Sequence, residues 1–183
     1  MKLGMAYLGA YLPEHLRLDL ATMRQMGCDE VIITLQENDF HIFRGKVHFA
    51  PAIAHELGLR ILANFWGFAC AFGGGRISRL LSEVGDVWLV GRDGSRLGQG
   101  CTNHPALLAR AREMVDECVA AGYDGFFWDE PTQQDCYCRH CREAFGKLCD
   151  GDLLAAPPIK TTSHYRARTR LEKMLPMAGP SSA

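Results

Sequence analysis

No stretch of about 20 consecutive apolar residues occurs in this sequence, so it holds nothing with the length of a membrane-spanning helix. The opening, MKLGMAYLGAYLPEHL, carries one lysine and a short apolar run without a small-residue cleavage site, unlike a secretory leader, so the cytoplasm is the expected compartment. An excess of charge is also missing. Twenty Lys and Arg stand against 21 Asp and Glu, a formal net charge of −1, and the basic residues are scattered except near the end of the chain. That pattern lacks the positive footprint by which nucleic acid is held. The glycine-rich stretch Gly73-Gly74-Gly75 follows a strand pattern but has neither a G-x-G-x-x-G spacing nor a P-loop lysine, so it reads as a flexible cleft wall rather than a phosphate cradle. No internal repeat of 20 to 50 residues is visible.

What the sequence does have is apolar content, 48% over 183 residues, enough for one soluble globular domain with a core. It also has eight cysteines. Cys136, Cys138 and Cys141 crowd into a C-x-C-x-x-C, and in a reducing compartment such crowding points to metal rather than to disulfides.

Apolar runs alternate with stretches of helical period, the pattern of βα units around a parallel sheet. Leu3 to Leu12 reads as a first strand, followed by Pro13 at the start of a helix closed by Gly27. Glu30 to Gln36 reads as a second strand, Phe49 to Leu57 as a helix ended by Gly58, and Arg60 to Trp66 as a third strand. Residues 76 to 84 form a short helix, and Trp88 to Leu97 a β-hairpin turning at Asp93-Gly94. A helix over Pro105 to Ala121 leads to a fourth parallel strand, Asp124 to Trp128. The expected fold is therefore α/β: a partial (βα)8 TIM barrel of about four βα units with parallel strands and a β-hairpin insertion. It fills residues 1–150, and the proline-rich residues 151–183 are expected to be a poorly ordered tail. A complete barrel needs roughly 250 residues. The chain is then either a fragment or a half whose open sheet edges are covered by a missing C-terminal half or by a second copy in a homo-oligomer.

Structural zinc takes four ligands in a tetrahedron, commonly one close cluster and a remote ligand. Cys136, Cys138 and Cys141 are the cluster, and Cys101, in the loop before the long helix, is the remote candidate; His104 and His140 compete with it for the fourth position. An all-thiolate site is closed to water, which favours a structural zinc over a zinc enzyme. Cys28, Cys70, Cys118 and Cys149 read as core or near-core thiols.

The fourth strand delivers Asp129 and Glu130 at its carboxyl end, where barrel enzymes place their chemistry, and carboxylates there are candidate acids, bases or nucleophiles. Pro131 behind them fits equally a solvated turn or a helix cap. Glu37 after the second strand, Asn64 and Trp66 at the end of the third, and Tyr7 in the first are the polar and aromatic groups that would suit a sugar. His41 and His48 are expected at the surface.

Read in order, Cys101-Thr102-Asn103-His104-Pro105, a helix, Trp128-Asp129-Glu130, then Cys136-Tyr137-Cys138-Arg139-His140-Cys141 and Phe145 resemble the zinc-carrying β-galactosidases of the glycoside hydrolases and related glycosidase-like barrels. The resemblance implies zinc on the four cysteines, Glu130 as general acid/base of a retaining mechanism, and a carbohydrate substrate. Asp129 stands where that family has Asn, and the seventh strand that carries its nucleophile is absent from this chain. The implied activity is hydrolysis of an O-glycosyl bond once the barrel is complete. The alternative is a non-catalytic carbohydrate-binding or scaffold module built around the same zinc.

Overall fold

The computed structural model describes residues 3–71, 78–128, 135–148 and 151–155. The elements are β1 (Gly4–Tyr7), α1 (Pro13–Gln25), β2 (Glu30–Leu35), a 3-10 turn (Glu37–Phe40), α2 (Arg44–Glu56), β3 (Arg60–Phe65), α3 (Arg79–Glu83), β4 (Trp88–Val90), β5 (Arg96–Gly100), α4 (Pro105–Ala121), β6 (Gly125–Phe127) and α5 (Arg139–Gly146). Four strands form one parallel sheet in the order β1-β2-β3-β6, and β4 and β5 pair antiparallel apart from it. Among the described residues neither β1 nor β6 has a partner on its outer edge. No described helix is long and apolar enough to cross a membrane. Most of the expected tail, residues 156–183, lies outside the described residues.

The strand period of two sorts the sheet into faces. Met5, Val31 and Ile61 lie in register, as do Tyr7, Ile33, Ala63 and Phe126. These residues pack into the main core with Leu16, Leu20 and Met23 of α1, Val47, Ala50 and Ile53 of α2, and Met114 and Cys118 of α4. The helices supply such stripes because positions three and four apart share a face. On the opposite face Ala6, Ile32, Leu62 and Gly125 are in register, and so are Thr34, Asn64 and Phe127. That face is less covered, with Ala6 exposed and Phe127 at 42%.

Most strand ends shift by one to three residues from the sequence reading, and two boundaries and one turn differ further. The first strand stops at Tyr7 rather than Leu12, because Gly9 takes φ +92° and turns the chain away, leaving Leu8, Tyr11 and Leu12 exposed. The second helix begins at Arg44 rather than Phe49 and keeps Pro51 inside it. The proline forfeits one backbone hydrogen bond there, and burial of Val47, Ala50, Ile53 and Ala54 keeps the helix continuous through it. At the hairpin, Gly94 (φ +84°) alone carries the positive angle, and its N–H bonds the Gly91 carbonyl at 3.0 Å, closing a wider turn than an Asp-Gly pair would make.

The loops after β1 and β2 are locked by a buried cation. Lys46 is 2% exposed; its Nζ donates to the Thr34 carbonyl (2.8 Å) and to Asp39 Oδ2 (3.4 Å), and lies 4.8 Å from the centre of the Tyr11 ring. A Cβ on Gly9 would stand 2.8 Å from this amine, so the glycine makes the approach possible. Burial lowers the amine's pKa, and Asp39 pulls it back up. Asp39 Oδ2 also accepts the Gln36 N–H at 2.8 Å, forming the 3-10 turn. Lys46→Met strands a buried carboxylate and is expected to cost about 3 to 5 kcal/mol in denaturant unfolding, with Lys46→Met/Asp39→Asn recovering most of the loss. A single variant as stable as the parent would show that the pair locks nothing.

Candidate metal centre

The hairpin places the cysteines. Cys101 directly follows β5, and the hairpin's other strand, β4, takes the incoming segment almost as a third strand: Tyr137 N–H donates to the Val90 carbonyl at 2.8 Å, and Val90 N–H to Cys136 Sγ at 3.4 Å. Cys138 caps α5 and Cys141 faces inward from its first turn. The result is a small core of Leu89, Cys101, Cys136, Cys138 and Cys141, all buried. The four sulfurs lie within 4.8 Å of one another, Cys101 being 3.4 Å from Cys141 and 3.5 Å from Cys138. A disulfide would bring two of them to about 2.05 Å. Four thiolates at about 2.3 Å from one ion in a tetrahedron stand about 3.8 Å apart, close to this spacing. The cluster can therefore hold one metal ion, and its donors suit zinc.

Electrostatics gives the same answer. Hydrogen bonding to Cys136 and then Cys141, with burial, holds the Cys101 thiol well above its ordinary range. The same contact, seen from the acceptor, pulls Cys136 down to about 2. The four cannot ionise together in a buried space unless a cation stands between them. N–H groups already point at the sulfurs. Asn103 donates through its backbone to Cys101 Sγ (3.4 Å) and through Nδ2 to Cys141 Sγ (3.0 Å).

Asp86, His104 and His140 also lie within 4.8 Å of one another. His104 Nδ1 accepts the Ala106 N–H at 3.2 Å and so caps α4, which leaves the ring proton on Nε2, facing Asp86 Oδ1 at 3.2 Å. Arg139 already brings a cation here, bonding Asp86 Oδ2 at 2.8 Å and His140 Nε2 at 3.2 Å. The two histidines are thus engaged beside the sulfur cluster, and the position they could have filled within it is taken by Cys101.

Asp129 and Glu130 lie outside the described residues. The chain reaches them from Trp128, whose ring packs edge-on against Phe65, with centroids 5.1 Å apart. Asn64 sits beside that exit, paired in register with Phe127; it is 8% exposed, and among the described residues its Oδ1 has no hydrogen-bond partner. Trp66 is half-buried and continues the sheet by one bond, its N–H donating to the Leu35 carbonyl at 3.1 Å. Tyr7 belongs to the helix-facing set, where burial and a hydrogen bond to Asp19 raise its pKa. Glu37 is 5% exposed, and its carboxylate accepts from the Ser78 hydroxyl, from Leu80 N–H (3.2 Å) and from Arg110 (3.4 Å). It ties the 3-10 turn to α3 and α4. His41 and His48 are exposed, Cys28 and Cys118 are buried, Cys70 is half-buried, and Cys149 lies outside the described residues. Residues 72–77, with the glycine-rich stretch, lie outside them too. The sequence reading passed over Asn103, Lys46 and Arg110, whose residue types carry no signal until their partners are known.

No family model matches the chain, and no curated protein matches it. Among solved structures it is similar to a glycoside hydrolase family 31 dextranase of Flavobacterium johnsoniae complexed with glucose, with a TM-score of 0.47 and 11% identity over 71% of this chain and 18% of that one. It is also similar to an alpha-amylase from Lactobacillus plantarum, with a TM-score of 0.48 and 13% identity over 80% of this chain and 42% of that one. The chain thus spans less than half the length of either. Its α/β character rests on its own strand order, not on these likenesses.

Replacing Glu37 by Gln removes the most buried of the carboxylates that Arg110 faces, Glu83 and Glu113 being the others, and is expected to cost about 1.5 to 3 kcal/mol of stability. A thermal melt checks this; an unchanged melting temperature would free Glu37 for another role.

Proposed function

We propose that this chain is the metal-braced part of a glycosidase-like α/β domain, in which one structural zinc on Cys101, Cys136, Cys138 and Cys141 holds the segment that follows Asp129 and Glu130. The observation that carries this reading is the convergence of four buried sulfurs within 4.8 Å, drawn from two parts of the chain. The ion would supply electrostatic cohesion and no catalysis, because four thiolates leave no open position for water. The residues themselves hold the hairpin, the loop before α5 and α5 in one unit.

On this reading, the parallel sheet is completed to a closed barrel by further chain or by a second copy, and the substrate is a carbohydrate O-glycoside. Glu130 acts as the acid/base and Asp129 lies beside it. Asn64, with its unpartnered Oδ1 at the end of β3, is the described residue best placed to bind a sugar hydroxyl. Glycoside hydrolysis needs a second carboxylate to attack or to activate water. The chain is therefore inactive until the barrel is complete. The Asn64 amide oxygen, without a partner among the described residues, also suits carbohydrate binding without cleavage.

Metal analysis of the purified chain is expected to give one zinc per chain, and stripping it with a chelator should expose the hairpin and α5 to amide hydrogen exchange. A metal-free chain with full protection there would overturn the metal reading. In a version completed to a closed barrel, glycosidase turnover should vanish with Glu130→Gln; turnover retained in that variant would remove Glu130 from the reaction, and saturable glycan binding with no turnover in the parent would favour the binding module.

A further inference from the structure

Four thiolates around a divalent cation leave the centre anionic in a buried position, and groups that accept part of that charge decide how firmly the ion is kept. N–H···S bonds do this here. Among the described residues, the backbone N–H groups of Val90 and Cys138 serve Cys136, and Asn103 serves two further sulfurs: backbone to Cys101 at 3.4 Å, side-chain amide to Cys141 at 3.0 Å. These two sulfurs are the remote ligand and the last of the clustered ones, so one residue bridges the two halves of the ligand set. Asn103 is also half-buried and lines, with His140, Glu143 and Lys147, the hollow that opens from solvent beside the centre.

We propose that Asn103 is the positioning residue that sets the ion's retention, its side-chain amide drawing electron density from Cys141 and standing at the solvent side of that sulfur. This rests on the metal reading above. A charge-assisted N–H···S bond draws electron density from the sulfur and makes it a weaker nucleophile toward chelators and oxidants. Val90 acts through its backbone and cannot be exchanged by substitution, whereas Asn103 can. The structure thus assigns this asparagine the difference between a permanent brace and a centre that yields its metal.

The test uses the full chain loaded with zinc or with cobalt. Asn103→Ala should transfer its zinc to a chromophoric chelator about 10- to 100-fold faster than the parent, the usual range for lost outer-shell hydrogen bonds. Asn103→Asp, which sets a carboxylate against the thiolate, should be faster still. In the cobalt form the sulfur-to-metal charge-transfer bands of Asn103→Ala should move to lower energy while the tetrahedral d–d bands stay, a change that a merely structural role would not produce. Parent-like release and unshifted bands would overturn the proposal. Where the alanine variant fails to fold, Asn103→Ser, whose hydroxyl is too short to reach the sulfur, decides in the same way. A parent chain that takes up neither ion would defeat the metal reading itself, a result distinct from a parent that binds and a variant that behaves like it.

Discussion

Four buried sulfur atoms within 4.8 Å of one another cannot all carry charge unaided, and the unit of hairpin, Cys136 loop and α5 depends on whatever reconciles them. The small core around them contains one fully apolar buried side chain, Leu89, with Val90, Leu97 and Leu153 half-buried at its margin. A full Leu burial contributes about 1.5 to 3 kcal/mol, well short of ordering a hairpin, a loop and a two-turn helix. A second apolar cluster of Leu80, Leu81, Val87 and Leu107 supports the start of the hairpin, and a metal on the four cysteines would add the rest. A metal bound only in the folded state adds its binding free energy to folding, and the N–H groups of Val90 and Asn103 are already oriented to receive the charge that binding leaves on sulfur.

The other part of the chain is built differently. The parallel sheet and helices α1, α2 and α4 share one continuous apolar core, with Leu16, Leu20, Val31, Ile33 and Ile61 fully buried, and need no ion. Polar ties then fix how the loops leave that sheet. Lys46 and Asp39 lock the exits of β1 and β2, while Glu37 gathers Ser78, Leu80 and Arg110 behind them. In sequence, Asp129 and Glu130 lie between β6, which belongs to the first of these regions, and Cys136, which belongs to the second.

Much of this was legible in the sequence, for reasons of range. C-x-C-x-x-C is a local spacing, and the βα alternation is a local period; both survive without knowledge of distant contacts. Cys101 could be inferred because a tetrahedral ion needs a fourth donor and the loop before α4 returns to the same end of the sheet. Residues whose roles come from distant partners could not be read. Glu37 looked like a group at a strand end open to substrate, yet its partners come from 41 and 73 residues away. Lys46 gave no signal at all, since its burial depends on a missing side chain at Gly9. The end of the first strand was hidden because MAYLGAYL stays apolar past the point where Gly9 turns it; that glycine was the available signal.

X-ray absorption at the zinc K-edge of the purified chain is the decisive experiment for the sulfur cluster. A single shell of four sulfurs at about 2.3 Å is expected. A shell containing nitrogen or oxygen ligands, or a folded chain with no edge at all, would contradict it.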